Sequence, residues 1–386
     1  MAPIKVGIVG YGFAAKNFHL PFIRAIPDYE VVAILQRAEA PSDPASAPKG
    51  SHCTVDFPGI KHYRTAEDFF ADAEIGFVVV ATHTDTHASF AEQALKAGKH
   101  VIVDKPFANS SEEADKVIEL AQQKGLIVTC FQNRRYVRRF TLTDGDFKTV
   151  RELFEKNAFG EITEAEIHYD FDRAPWLHYL TAKKYTPGSG LTFGLGTHSI
   201  DQAYVLFGRP VSVTAFYRVQ RGLESEVEDS FTLVLQYDSP QKNLLVTIKT
   251  SVVSPMAQQL KFWVRGTKGS YIKYQNRSTC PQEEQIAEGV QPLDPAFGAE
   301  PEELRGTLTT YDEFDSSIQT FDEKSQRYVG KYPTITGRWM GIYEAVADAI
   351  NGKAELAVKA TESRDVLRII ELARESHEKG ITVGWK

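Results

Sequence analysis

The sequence predicts a two-domain α/β protein. An N-terminal doubly wound parallel sheet occupies residues 1–133, and residues 134–386 form an α/β domain on an open, mostly antiparallel sheet. Three observations carry this reading. Short apolar strands alternate with helical patterns up to residue 133, the signature of strand–helix–strand units. A glycine-rich turn follows the first strand directly. From residue 162 onward, β-branched and alternating runs separated by turns dominate. The chain has 386 residues, 42% of them hydrophobic and 25% charged, and a net charge of -7. That profile is globular, and the length exceeds one ordinary core.

Several classes of function are excluded at this level. There is no basic stripe to follow a phosphate backbone, so nucleic acid is not an expected partner. No apolar run approaches the roughly 20 residues that span a bilayer, and the opening Met-Ala-Pro-Ile-Lys leads into a strand without a charged-then-apolar leader. Cys53, Cys130 and Cys280 are scattered and odd in number, which predicts free thiols in a reducing cytoplasm.

Within the first domain, the strand Ile4–Gly10 runs into Gly10-Tyr11-Gly12-Phe13-Ala14-Ala15. This is a dinucleotide-binding turn: Gly10 permits the tight bend, Gly12 lets backbone approach a pyrophosphate, and the small Ala15 allows close helix packing. Phe13 and Ala14 open the helix whose N-terminus would face the phosphates. Pro21 is expected to delay or kink that helix. Val31–Leu35 is the second strand, followed by Gln36-Arg37. An acid at this place binds a ribose 2′-hydroxyl, whereas arginine pairs with a 2′-phosphate, so NADP(H) is the expected cofactor. Residues 38–50 read as a loop.

Thr65 before Phe69-Phe70 marks a helix start, and Phe77–Ala81 is a buried strand. After it come Thr82, His83 and His87, expected near the cofactor or at the next helix cap. The two histidines have metal-ligand spacing but no third partner, so no metal is expected. Val101-Ile102-Val103 is a strand buried on both faces, closed by Asp104-Lys105-Pro106. Pro106 ends the ladder and leaves Lys105 at the carboxyl end of a parallel strand, where ligands bind. A lysine whose pKa responds to desolvation suits proton transfer. Ser110 with Glu113 predicts a capping box, Gly125 a helix stop, and Ile127–Phe131 the last strand of the sheet.

Taken together, Gly10-Tyr11-Gly12, Phe18-His19-Leu20-Pro21, Ala97-Gly98-Lys99-His100, Asp104-Lys105-Pro106, Asn133-Arg134-Arg135, Pro187-Gly188-Ser189-Gly190 and His198-Ser199-Ile200-Asp201-Gln202 resemble the family of glucose-fructose oxidoreductase and inositol dehydrogenase. The resemblance covers nearly the whole chain. It implies that Lys105 contacts nicotinamide and substrate, and that Asp104, Asn133 and Arg134 border the cofactor. Members usually carry an aspartate four positions before the histidine; here that position is Gly194, ahead of His198. Another donor must then supply the proton, or turnover is lost. Tyr179 is the first candidate and Tyr185 the second, with Tyr136 and Asp201 as further substrate contacts.

The basic residues Arg134, Arg135, Arg138, Arg139, Lys183 and Lys184 predict a cationic mouth for an acidic sugar. In this, and in Gly194, the chain is similar to fungal D-galacturonate reductases, which implies reduction of D-galacturonate to L-galactonate. A scyllo-inositol-type or other sugar dehydrogenase using NADP, and a non-catalytic NADP-sensing regulator, are the alternatives. In the second half, strands are expected at 162–169, 211–218, 230–237, 244–253 and 260–265, and helices at 197–207, 339–350 and 363–373. Residues 280–301 read as a surface loop. An open sheet commonly has its outer face covered by a partner, so a homo-oligomer is expected.

Overall fold

The computed structural model describes residues 2–135, 144–276 and 280–386. Six strands form the first sheet: β1 (Ile4–Val9), β2 (Tyr29–Leu35), β3 (Lys61–Tyr63), β4 (Phe77–Val80), β5 (His100–Val103) and β6 (Val128–Cys130). All pair in parallel, in the order β3-β2-β1-β4-β5-β6. Strands β4 and β5 each have a neighbour on both sides and are buried from Phe77 to Val80 and from Val101 to Val103. Continuous β-branched runs suit strands covered on both faces. The winding reverses between β1 and β4, and in sheets of this kind ligands bind beyond the carboxyl ends of the strands at that point.

The covering helices are α1 (Leu20–Arg24), α2 (Cys53–Asp56), α3 (Ala66–Ala71), α4 (His87–Lys96) and α5 (Ser111–Lys124). As Pro21 predicts, the first of them is delayed: a π-helical turn, Ala15–His19, precedes α1. Ser110 caps α5 by accepting from the Glu113 N–H at 3.1 Å, and Gly125 ends it at φ 64°. The Glu113 carboxylate reaches one residue beyond the expected box, to the Asn109 N–H.

The second sheet has ten strands: β7 (Ile162–His168), β8 (Ser212–Arg218), β9 (Ser230–Gln236), β10 (Leu245–Thr250), β11 (Gln259–Gly266), β12 (Gly269–Gln275), β13 (Gly306–Thr310), β14 (Gln319–Asp322), β15 (Arg327–Tyr332) and β16 (Val383–Gly384). Their order is β14-β15-β13-β12-β11-β7-β10-β9-β8-β16, antiparallel except for β7 beside β10. Helices α6 (Gly145–Glu155), α7 (Thr197–Phe207), α8 (Pro281–Ala287), α9 (Gly341–Ile350) and α10 (Ala360–Lys379) complete the chain. A second π-helical turn, Thr192–Gly196, leads into α7. Part of the stretch expected to be loop, residues 280–301, is therefore helical, with Pro281 in its first turn, where its missing N–H costs nothing.

The chain crosses back onto the first sheet late. Trp339, Met340, Ile342 and Tyr343 share one core with Val6, Ile8, Phe22 and Phe77. The Tyr29 hydroxyl donates to the Tyr343 carbonyl at 2.7 Å, and the Thr129 hydroxyl donates to the Val358 carbonyl at 2.6 Å. Part of the layer over the first sheet thus comes from the far end of the sequence. Among the described residues, no helix is long and apolar enough to cross a membrane.

Candidate active site

The glycine turn is shaped for a close approach. Gly10 sits at φ 99°, and a Cβ there would meet the Ala81 carbonyl oxygen at 2.5 Å. A Cβ on Gly12 would project into open space in front of the turn, the volume a phosphate needs. Ala15 is fully buried against the sheet, while Phe13 is 71% exposed beside Phe18. At the end of β2, Arg37 is exposed and its guanidinium has no hydrogen bond or ion pair among the described residues. Gln36 turns the other way, its side-chain oxygen accepting from the Cys53 N–H at 2.9 Å. These residues fit the pyrophosphate and ribose of a nicotinamide dinucleotide. When bound, such a cofactor supplies or accepts hydride.

Beyond β4 the expected cofactor residues separate. His83 is exposed and lies 3.0 Å from Asp85. His87 is buried, with Nδ1 2.7 Å from the Pro106 carbonyl and Nε2 3.2 Å from the Thr82 carbonyl. His87 therefore ties the β4 and β5 loops together and offers no free ring nitrogen to a ligand, which corrects its expected place at the cofactor.

Lys105 follows the carboxyl end of β5, two residues beyond Val103. Its Nζ donates to the Gly194 carbonyl at 2.8 Å. Burial of the head group pushes its pKa down, against the pull of Asp104. Asp104 itself keeps its charge: burial opposes it, but His19 and then Lys105 hold the carboxyl below its usual range. The His19 ring is fully buried, with Nε2 3.6 Å from Asp104 and Nδ1 2.5 Å from the Tyr343 hydroxyl. The role of His19 was not singled out in the sequence, because its partners, Asp104 just beyond β5 and Tyr343 on α9, are far away in the chain.

His198 stands in the first turn of α7, 5% exposed, with Nδ1 lacking a hydrogen-bond partner among the described residues. Burial, reinforced by Lys105, Arg134 and Lys261, drives its pKa far below the usual value, so the imidazole is neutral. Its ring is near-parallel to that of Tyr169, 6.2 Å away, and Lys261 Nζ sits 3.4 Å from the centroid of the Tyr169 ring. Burial brings Lys261 down to about 8. Neither Tyr169 nor Lys261 was anticipated. The available signal was a lysine beside an apolar strand pattern, where a charge needs a reason to be buried.

The expected cationic mouth is not formed by the arginines the structure describes. Arg134 is buried against Glu283 and lies 3.9 Å from Asp144. Arg135 is buried between Asp201 and Glu362. Asp201, expected at the substrate, has both carboxylate oxygens on Arg135. Asn133 is buried. Lys183 and Lys184 are exposed. Tyr185 lies under the Arg374 guanidinium at 3.8 Å, and Arg374 pairs with Glu228. Tyr136, Arg138, Arg139 and the side chain of Tyr179 lie outside the described residues. Next to Glu283 opens a cleft of about 1130 Å³ lined by Trp176, Met256, Asp172, Glu284 and Glu288, with no cation among its described lining residues.

Comparison with known proteins agrees with this geometry. Residues 4–132 match the oxidoreductase family with an NAD-binding Rossmann fold, and residues 147–272 match the GFO/IDH/MocA C-terminal domain. An uncharacterized oxidoreductase of Schizosaccharomyces pombe is 34% identical, over 99% of this chain and 100% of its own length. The scyllo-inositol 2-dehydrogenase (NADP(+)) of Bacillus subtilis is 30% identical, over 98% of this chain and 95% of its own. An oxidoreductase structure from Bacillus cereus superposes with a TM-score of 0.82 at 27% identity, covering 99% of both chains. With a glycine turn, a lysine at the end of a parallel strand and matches in both halves, the chain belongs to the GFO/IDH/MocA family of oxidoreductases.

Proposed function

We propose that this oxidoreductase uses NADP(H) to interconvert a ketone or aldehyde and an alcohol on a neutral, polyhydroxylated small molecule such as an inosose or aldose. The observation that carries the reading is the Lys105 ammonium, held at the end of β5 by the Gly194 carbonyl at 2.8 Å. In the reducing direction Lys105 donates a hydrogen bond to the substrate carbonyl, stabilises the developing oxyanion and delivers the proton. The depressed pKa makes that transfer easier than from an ordinary lysine. His198, neutral and buried beside it, orients a substrate hydroxyl without adding charge. Lys105 so takes over the proton that Gly194 cannot provide, and Tyr179 becomes the second candidate.

A neutral substrate is favoured over D-galacturonate because Arg134 and Arg135 are already neutralised and the adjacent cleft carries carboxylates. The NADP(+) preference of the Bacillus subtilis scyllo-inositol 2-dehydrogenase supports the cofactor assignment, alongside Arg37. The test is NADPH consumption by purified protein across inososes, aldoses and uronates. Turnover with inososes or aldoses is expected. Turnover confined to uronates overturns the neutral-substrate reading, and NADPH binding without any turnover supports the regulator instead.

A further inference from the structure

The chemistry above leaves unused a group of metal-binding side chains at the outer edge of the first sheet. His52, Cys53 and His62 each bring one ligand atom within 4.8 Å of the other two. His52 and Cys53 are buried and His62 is half-buried. Their outer contacts define the site. His62 Nε2 lies 2.8 Å from the Gln36 carbonyl, and His52 Nε2 lies 3.3 Å from the Ala38 carbonyl. A carbonyl only accepts, so each ring carries its proton on Nε2 and keeps its lone pair on Nδ1. Backbone carbonyls fix the tautomer of metal-bound histidines in this same way.

One pair of the three already has nearly the spacing that a metal needs, and all three atoms lie within 4.8 Å of one another. His52 Nδ1 is 3.9 Å from Cys53 Sγ. Tetrahedral zinc, with Zn–N of about 2.0–2.1 Å and Zn–S of about 2.3 Å, would hold these atoms about 3.5 Å apart. The His52 lone pair caps α2 by accepting from the Thr54 N–H at 3.2 Å, a contact that a metal would displace. We propose that His52, Cys53 and His62 bind a zinc-class cation, with water as the fourth ligand. On binding, the Cys53 thiol releases its proton to solvent and the thiolate sulfur forms the metal bond. A thiolate with two imidazoles selects zinc over magnesium. The site differs from the His83/His87 pair, whose spacing alone suggested a metal in the sequence. It is independent of the cofactor reading, although Gln36 contacts both the Cys53 N–H and the His62 ring.

The test uses the full-length protein, stripped with a chelator and titrated with Zn²⁺ against a chromophoric chelator, with Mg²⁺ as control. One Zn²⁺ per chain is expected, weakened by at least about tenfold in both Cys53→Ser and His62→Gln, since even loss of an outer-shell partner costs that much. Zinc binding that is absent in the wild type, or unchanged in both variants, overturns the proposal. Should either variant fail to fold, alkylation of the wild type mapped by mass spectrometry decides. Zn²⁺ but not Mg²⁺ should slow labelling of Cys53, and equal labelling with both ions refutes the site.

Discussion

Replacing Lys105 by Met removes the ammonium and keeps the length of the stem. In the structure this deletes the 2.8 Å hydrogen bond to the Gly194 carbonyl and removes a cation from the end of β5. A positioned general acid contributes about 10²–10⁴ in rate, which corresponds to about 3–5 kcal/mol of barrier at 1.36 kcal/mol per tenfold. The fold should not suffer to match, because burial already disfavours this ammonium and Asp104 retains His19 as a partner. The expected result is a kcat lowered by about 10³, with the thermal midpoint near that of the wild type and NADPH affinity held within about threefold. The pH profile supplies a second readout. Since burial lowers the pKa of Lys105, the wild-type rate of reduction should fall as pH rises through that lowered value, when the acid form is lost; the variant should lack that limb. Steady-state NADPH oxidation across pH measures both. A variant within tenfold of wild type, or one keeping the same alkaline limb, would refute Lys105 as the proton donor.

Other expectations concern the cofactor, the turn and the second sheet. Arg37→Ala should weaken NADPH binding by about 10–100-fold, the value of a charge-assisted contact, and leave NADH within about twofold by calorimetry. Gly10→Ala should abolish binding of both cofactors and lower the melting temperature, because its Cβ would lie 2.5 Å from the Ala81 carbonyl at φ 99°. Gly194→Asp should fold, as its Cβ meets only Leu191 at 3.5 Å, and a carboxylate near Lys105 should move the alkaline limb of the rate profile to higher pH. On β7, His168 and then Lys249 hold Glu166 at about 2, below its usual value, so this carboxylate stabilises the fold above the unfolded pKa and that contribution is lost as pH falls toward 2. Denaturant titrations of Glu166→Gln should show a deficit of about 1–3 kcal/mol at neutral pH that narrows in acid.

The first sheet was legible because its strands announce themselves twice, by continuous apolar runs and by the turns that follow. Val101-Ile102-Val103 followed by Asp104-Lys105-Pro106 is enough to place an amine at a strand end, and the structure puts it there. Strands β13, β14 and β15 gave no such signal. Gly306–Thr310 and Gln319–Asp322 are short and rich in polar residues, and they lie toward one edge of the sheet, where no second apolar face is required. The arginines failed for a different reason. Charged side chains in close succession read as a solvated rim, but the partners that bury them stand 149 residues away for Arg134 and 66 and 227 away for Arg135. Pairing over such separations is decided by the fold and leaves no local pattern.

The same limit explains the two π-helical turns, and they are what assemble the site. An α-helical turn directs each carbonyl to the N–H four residues on, whereas a π-helical turn shifts that pairing and re-aims side chains and carbonyls locally. One such turn, Ala15–His19, ends in the histidine that lies against Asp104; the other, Thr192–Gly196, contains the carbonyl that receives Lys105. Adjacent residues of one strand ending are thus each held by a widened turn from a different domain. A carboxylate at position 194 would bring charge to the lysine, whereas the carbonyl brings only a dipole, which leaves the ammonium easier to deprotonate. Loss of the aspartate is then compatible with catalysis, provided that the lysine itself carries the proton.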